Sequence, residues 1–102
     1  MAALLIIQAA VSRDPAHRAR YRQYQALVRP LIESHGGQLR ATGLNLDVLE
    51  GEHDGRRLIV FEFPSMDALR AFWNSPEYAA IRPLRSGTAR SDVWAVPAES
   101  SG

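Results

Sequence analysis

Glu62 stands between Phe61 and Phe63, one residue before Pro64, in a stretch that otherwise opens as a buried strand. A carboxyl in an apolar, low-dielectric site resists ionisation, which makes it useful as an acid or base near neutral pH. The same carboxylate could instead pair with an arginine across an interface and only help hold two surfaces together. Arg85 follows a helical segment and could bind an anionic substrate, neutralise Glu62, or sit as a solvated charge at a helix end. Tyr78 could direct its hydroxyl into a cavity or pack a broken helix against a sheet. Gln8 is the polar residue of an apolar strand, and Trp94 could line a cavity mouth. Glu62 is thus the candidate catalytic residue, with Gln8, Tyr78, Arg85 and Trp94 as candidate substrate contacts.

Other chemistries do not assemble. His17, His35 and His53 fall at a helix start, a helix end and a hairpin tip, a spacing that suits no common metal site and reads as separate surface histidines. There is no cysteine, which removes disulfides, thiolate nucleophiles and sulfur-ligated metals together. Ser65 and Ser75 read as helix caps, with no Ser-His-Asp constellation. Gly36-Gly37 ends a helix where a phosphate loop would open one. No metal and no cofactor is expected.

The elements that must position these residues follow from pattern. Leu4–Val11 is an apolar run of strand length. Asp14 caps a helix with Pro15 at its first turn; Tyr24, Leu27, Val28, Leu31 and Ile32 give it an apolar stripe. Arg18, Arg22, Gln25, Arg29 and Glu33 form a solvated face, and Pro30 predicts a kink. His35-Gly36-Gly37 ends the helix. Leu39–Glu50 reads as a second strand with a bulge or bend at Gly43, and Asp54-Gly55 as its hairpin turn. Arg57–Phe63 is the third strand. Ser65 caps a second helix with Leu69, Phe72 and Trp73 inward, which breaks at Ser75-Pro76 and restarts toward Arg85. Asp92–Val96 is the last strand. Residues 1–97 form one domain of an α+β class, and residues 98–102 read as a disordered tail.

The order βαββαβ, with right-handed crossovers, predicts a ferredoxin-like antiparallel sheet carrying both helices on one face. Leu5, Ile7, Ala9 and Val11 share a face of the first strand, and Ile59, Phe61 and Phe63 a face of the third; these purely apolar sets belong under the helices. Leu4, Ile6 and Gln8, with Leu58, Val60 and Glu62, lie on the other face, where no helix remains to cover them. Soluble monomers seldom expose such a patch, so a homodimer closing on that face is expected, as a dimeric α+β barrel. Glu62 then lies in an apolar cavity at the dimer interior, beside Gln8 of a neighbouring strand read as parallel.

Composition narrows the partners. The net charge of +1 provides no broad field for nucleic acid or an anionic membrane. The basic residues are all arginine, a compositional bias of the sequence. RNA-recognition domains share the element order but need aromatics on the open face of the first and third strands. Here the first strand has none, and Phe61 and Phe63 face the helices. The run Leu4–Val11 is shorter than the roughly 20 residues of a membrane span and lacks a basic leader, so a cytoplasmic protein is expected.

Several short matches, in order, resemble the family called domain of unknown function 1330, within the dimeric α+β barrel superfamily. They are Asp14-Pro15, Gly36-Gly37, Glu50-Gly51, Glu62–Ser65, Ser75–Tyr78 and Arg85. Leu44 departs from a second glycine that the family often carries after Gly43. The resemblance implies a dimer whose sheets enclose a cavity. It also implies relatives of varied chemistry: cofactor-independent oxygenases, haem-degrading enzymes, muconolactone isomerases and dechlorinating enzymes. The expected function is small-molecule acid–base chemistry, oxygenase- or isomerase-like, in the dimer cavity. The alternatives are a non-catalytic ligand-binding dimer and a purely structural one.

Overall fold

The computed structural model describes residues 1–43 and 46–98. Its elements are β1 (Ala2–Val11), α1 (Pro15–Ser34), β2 (Gln38–Gly43), β3 (Arg57–Phe63), α2 (Met66–Trp73), α3 (Pro76–Ile81), a 3-10 turn (Arg82–Arg85) and β4 (Ala89–Ala98). The sheet order is β2-β3-β1-β4 with every neighbouring pair antiparallel, the ferredoxin-like arrangement. β4 ends at Ala98, which pairs with Ala2, and residues 99–102 lie outside the described residues.

Local signals set the helix ends. The Asp14 carboxylate accepts from the backbone N–H of Ala16 and of His17, and these bonds hold its pKa below the ordinary value. α1 runs through Pro30 to the glycine pair. Gly36 takes φ +86°, and Gly37 N–H closes back on the Ile32 carbonyl at 2.9 Å. Gly37 also has no room for a side chain, since a Cβ there would lie 2.4 Å from Ile32 Cγ2 and 2.9 Å from Phe63 Cζ.

The core sits between the sheet and the helices. Ala3, Leu5, Phe61 and Phe63 rise from the sheet to meet Val28 and Ile32 of α1, with Leu69 and Phe72 of α2. Phe63 and Phe72 stack with centroids 5.8 Å apart. On α1 the buried stripe includes Tyr21, whereas Leu27 is 46% exposed, because spacing of Tyr21, Val28 and Ile32 keeps one face toward the sheet.

Three expectations are corrected. β2 ends at Gly43 and its bulge falls at Arg40, between Leu39 and Ala41. Asp54-Gly55 does not make a two-residue hairpin: among the described residues the last β2–β3 pair is Gly43 with Leu58, and residues 46–56 carry no strand. Side chains there satisfy the backbone locally. Gly55 N–H donates to His53 Nδ1 and Arg56 N–H to Asp54 Oδ1, bonds that compete with a strand ladder. Leu44 lies outside the described residues.

The third correction concerns Gln8. β1 and β3 run antiparallel, so Gln8 pairs with Leu58 while Glu62 pairs with Leu4. Four residues of strand, about 13 Å, separate the two polar groups. They do not share a site within the chain.

Candidate functional site

The break between α2 and α3 turns a tyrosine inward. Ser75 Oγ donates to the Phe72 carbonyl at 2.8 Å and accepts from Tyr78 N–H at 3.1 Å, capping α3 two residues after the end of α2. Tyr78 is thereby 2% exposed, packed against Phe72 and Trp73. A buried tyrosine needs a partner for its hydroxyl, and Tyr78 finds that of Tyr24 on α1 at 2.9 Å.

Arg85 arrives from the 3-10 turn. Buried Thr88 donates to the Arg85 carbonyl through both its backbone N–H, at 3.1 Å, and Oγ1, at 2.7 Å. With its backbone so held, Arg85 sets its guanidinium 5.9 Å from the Tyr24 ring centroid. Its Nε is buried without a hydrogen-bond partner.

These groups line a cavity of about 200 Å³ between sheet and helices. Leu5, Ile7, Ile59, Phe61 and Val93 form its sheet wall, and Val28 and Ile32 part of its roof. Gln25, Arg29, Thr42 and Arg57 also line it and are exposed, so the cavity meets solvent between α1 and the β2–β3 edge. The size suits a single ring with small substituents.

The electrostatics are one-sided. Among the described residues, no aspartate or glutamate lines the cavity, whereas Arg29, Arg57 and Arg85 do. Burial, and then the neighbouring Tyr78, push the Tyr24 pKa well above that of an ordinary phenol. Burial also raises Tyr21, against the opposing pull of Arg85 and Arg57. Burial works against the charge of Arg85, but Tyr78, Tyr24 and Tyr21 more than offset it, and its pKa lies above the ordinary arginine value. At neutral pH the cavity therefore holds a half-buried cation beside two hydrogen-bonded phenols. One hydroxyl donates to the other, which leaves one O–H free to donate and lone pairs free to accept.

The structure divides the residues nominated from sequence. Tyr78 and Arg85 come together, but under the helices of one chain instead of on the helix-free face. Glu62, Gln8 and Trp94 lie on that opposite face. Glu62 is partly open, with 37% of its side chain exposed, and its contact to Arg40 is a long 3.5 Å. Trp94 is 49% exposed, opposite Ile6 on β1. Gln8 faces His53, whose Nε2 lies 2.9 Å from Gln8 Oε1. Because Gly55 N–H donates to Nδ1, a neutral imidazole carrying its proton on Nε2 satisfies both contacts, so His53 is not a free hairpin tip. Among the described residues no set of His, Asp and Glu converges on a metal position, and no helix is long and apolar enough to cross a membrane.

Tyr24, Tyr21 and Arg57 were not nominated. Signals for them exist: two tyrosines on the inward stripe of α1 bring hydroxyls that need partners, and Arg57 shares the strand parity of Ile59, Phe61 and Phe63. An arginine on the core side of a strand is unusual enough to mark.

A family model described as a domain of unknown function, DUF1330, matches residues 3–98. No curated protein sequence matches the chain. It is similar to the structure of a protein of unknown function from Rhodopseudomonas palustris, with 18% identity and a TM-score of 0.73 over 97% of this chain and 84% of that one. A dimeric ferredoxin-like protein of unknown function from Jannaschia sp. CCS1 shares 14% identity, with a TM-score of 0.71 over 96% of this chain and 100% of that one. SnoaB, a cofactor-independent oxygenase from Streptomyces nogalater, shares 13% identity, with a TM-score of 0.65 over 98% of this chain and 95% of that one. At such identities these likenesses establish the fold and nothing further.

Proposed function

The chain belongs to the DUF1330 family, a domain of unknown function, and we propose that it binds and transforms a small apolar acid in the cavity between its sheet and helices. One observation carries this reading: Arg85 Nε is buried beside the Tyr24–Tyr78 pair with no acceptor. An unsatisfied buried donor costs about 1–3 kcal/mol, and more when charged, so an acidic oxygen from outside the chain has a place to go. The apolar walls accept the body of the ligand. Arg85 stabilises an oxyanion such as an enolate as it forms, the free O–H of the tyrosine pair hydrogen-bonds to that oxygen, and water entering at the open rim takes up the carbon-bound proton. SnoaB, which shares this fold, is a cofactor-independent oxygenase.

Phenylpyruvate tests the reading, because it combines one ring, a carboxylate and an enolisable carbon. The protein should bind it by calorimetry and speed exchange of its methylene protons in D2O, read by NMR. Arg85→Gln should remove both effects. Binding without faster exchange would make the protein a ligand carrier; binding unaffected by Arg85→Gln would overturn the site.

The helix-free face enters the same reading as a homodimer surface. Trp94 and Val96 stand exposed there, next to partly covered Leu4, Ile6, Leu58 and Val60. The Jannaschia protein of the same fold is dimeric. Glu62 and Arg40 then belong to the interface and not to the chemistry. With no cysteine to pair, the chain needs no oxidising compartment, and we take the cytoplasm as its place of action.

A further inference from the structure

Arg57 is the first residue of β3, and its side chain lines the cavity from the exposed rim. Its Nε donates to Thr42 Oγ1 at 3.2 Å, which fixes the guanidinium across the β2–β3 edge. Among the described residues its charge has no carboxylate partner. The contrast with nearby arginines is informative. Arg29, on the same rim, is held by Glu33 at 3.1 Å, and Arg40, Arg56 and Arg90 each contact a carboxylate. Of the arginines lining the cavity, Arg85 and Arg57 are the two without one. Both line the same cavity, as does Tyr21.

Two cations without a carboxylate partner, one half-buried and one at the rim, with no acid among the described residues of the wall, are matched by two negative charges on one small body. We infer that the ligand is a compact diacid: one acidic group meets Arg85 and the Tyr24–Tyr78 pair, and the second meets Arg57 at the mouth. This rests on the cavity being an acid-binding site, as proposed above. It assigns Arg57 the role of a specificity residue that selects diacids over monoacids and orients the reacting end inward. Thr42 positions Arg57 for that role.

Calorimetry with benzoate and the three benzenedicarboxylates, at fixed ionic strength, tests it, since the three isomers sample three separations of the acidic groups. At least one isomer should bind about tenfold or more tighter than benzoate, the increment of one added charge-assisted hydrogen bond. Arg57→Gln should erase that preference by weakening the diacid far more than benzoate, and Arg57→Lys, which keeps the charge, should retain part of it. Arg85→Gln should weaken both classes. Equal binding of monoacid and all diacids, or a preference that survives Arg57→Gln, would overturn the diacid assignment and leave the acid-binding site standing. Failure of every acid to bind would overturn the site itself and this inference with it.

Discussion

Tyr24 and Tyr78 are 54 residues apart in sequence, and their hydroxyl oxygens meet at 2.9 Å between α1 and α3. Each single change, Tyr24→Phe or Tyr78→Phe, removes this bond and should lower stability by about 0.5–1.5 kcal/mol. The double substitution has no second bond to lose, so its cost should fall well short of the sum. Urea unfolding of the four proteins reads the coupling. Strictly additive costs would mean that the hydroxyls do not act as a pair.

The Tyr24 pKa is raised in the folded chain by burial and then by Tyr78. An unfolded tyrosine ionises near pH 10. Below that pH both states keep the proton and the stability contribution is fully present. Above it only the unfolded state releases the proton, so stability should fall as pH rises toward the folded value. Melting temperature should therefore decline more steeply above about pH 10 than in Tyr24→Phe. Parallel alkaline declines in the two proteins would contradict the burial of Tyr24.

Gly37 has Ile32 Cγ2 and Phe63 Cζ where a methyl group would go. Gly37→Ala should thus cost about 1–3 kcal/mol through overpacking at the end of α1. Chemical denaturation measures it, and an unchanged midpoint would mean that α1 does not close on Phe63 in this way.

Phe61 is 6% exposed and packed under α1, with Arg29 over its ring at 5.6 Å. Phe61→Ala should lower stability by about 3–5 kcal/mol. A loss near zero, together with weakened RNA binding, would instead return the ring to an open, base-stacking face.

Glu62 tests which face of the sheet holds the chemistry. Within one chain its pairing with Arg40 is open and long, so Glu62→Gln should change stability by less than about 1 kcal/mol and leave phenylpyruvate binding intact. If the helix-free face joins two copies, light scattering should give twice the chain mass, and Trp94→Asp should halve it by opposing an interface of more than about 1,000 Å². Loss of proton exchange in a folded, dimeric Glu62→Gln protein would move the site to the open face.

Much of the scaffold is dictated by neighbours in sequence. Asp14-Pro15, Ser65 and Ser75-Pro76 announce helix starts because each supplies a side-chain acceptor or a preset φ to its own next turn. The parity of Phe61 and Phe63 assigns them to the helix side, since a strand side chain has only two directions to choose from. Parity cannot say which residues of another strand lie alongside. The antiparallel pairing of β1 with β3 did, and it set Gln8 and Glu62 at opposite ends of their shared face. Nor can spacing along α1 say what Tyr24 will touch. Only the packing of α1 against the broken α2–α3 pair brings its hydroxyl to Tyr78 beside Arg85, which lines the cavity and whose buried Nε has no acceptor. Face is a local, periodic property of the chain, whereas a site joins groups from distant segments, and their meeting is set by tertiary packing.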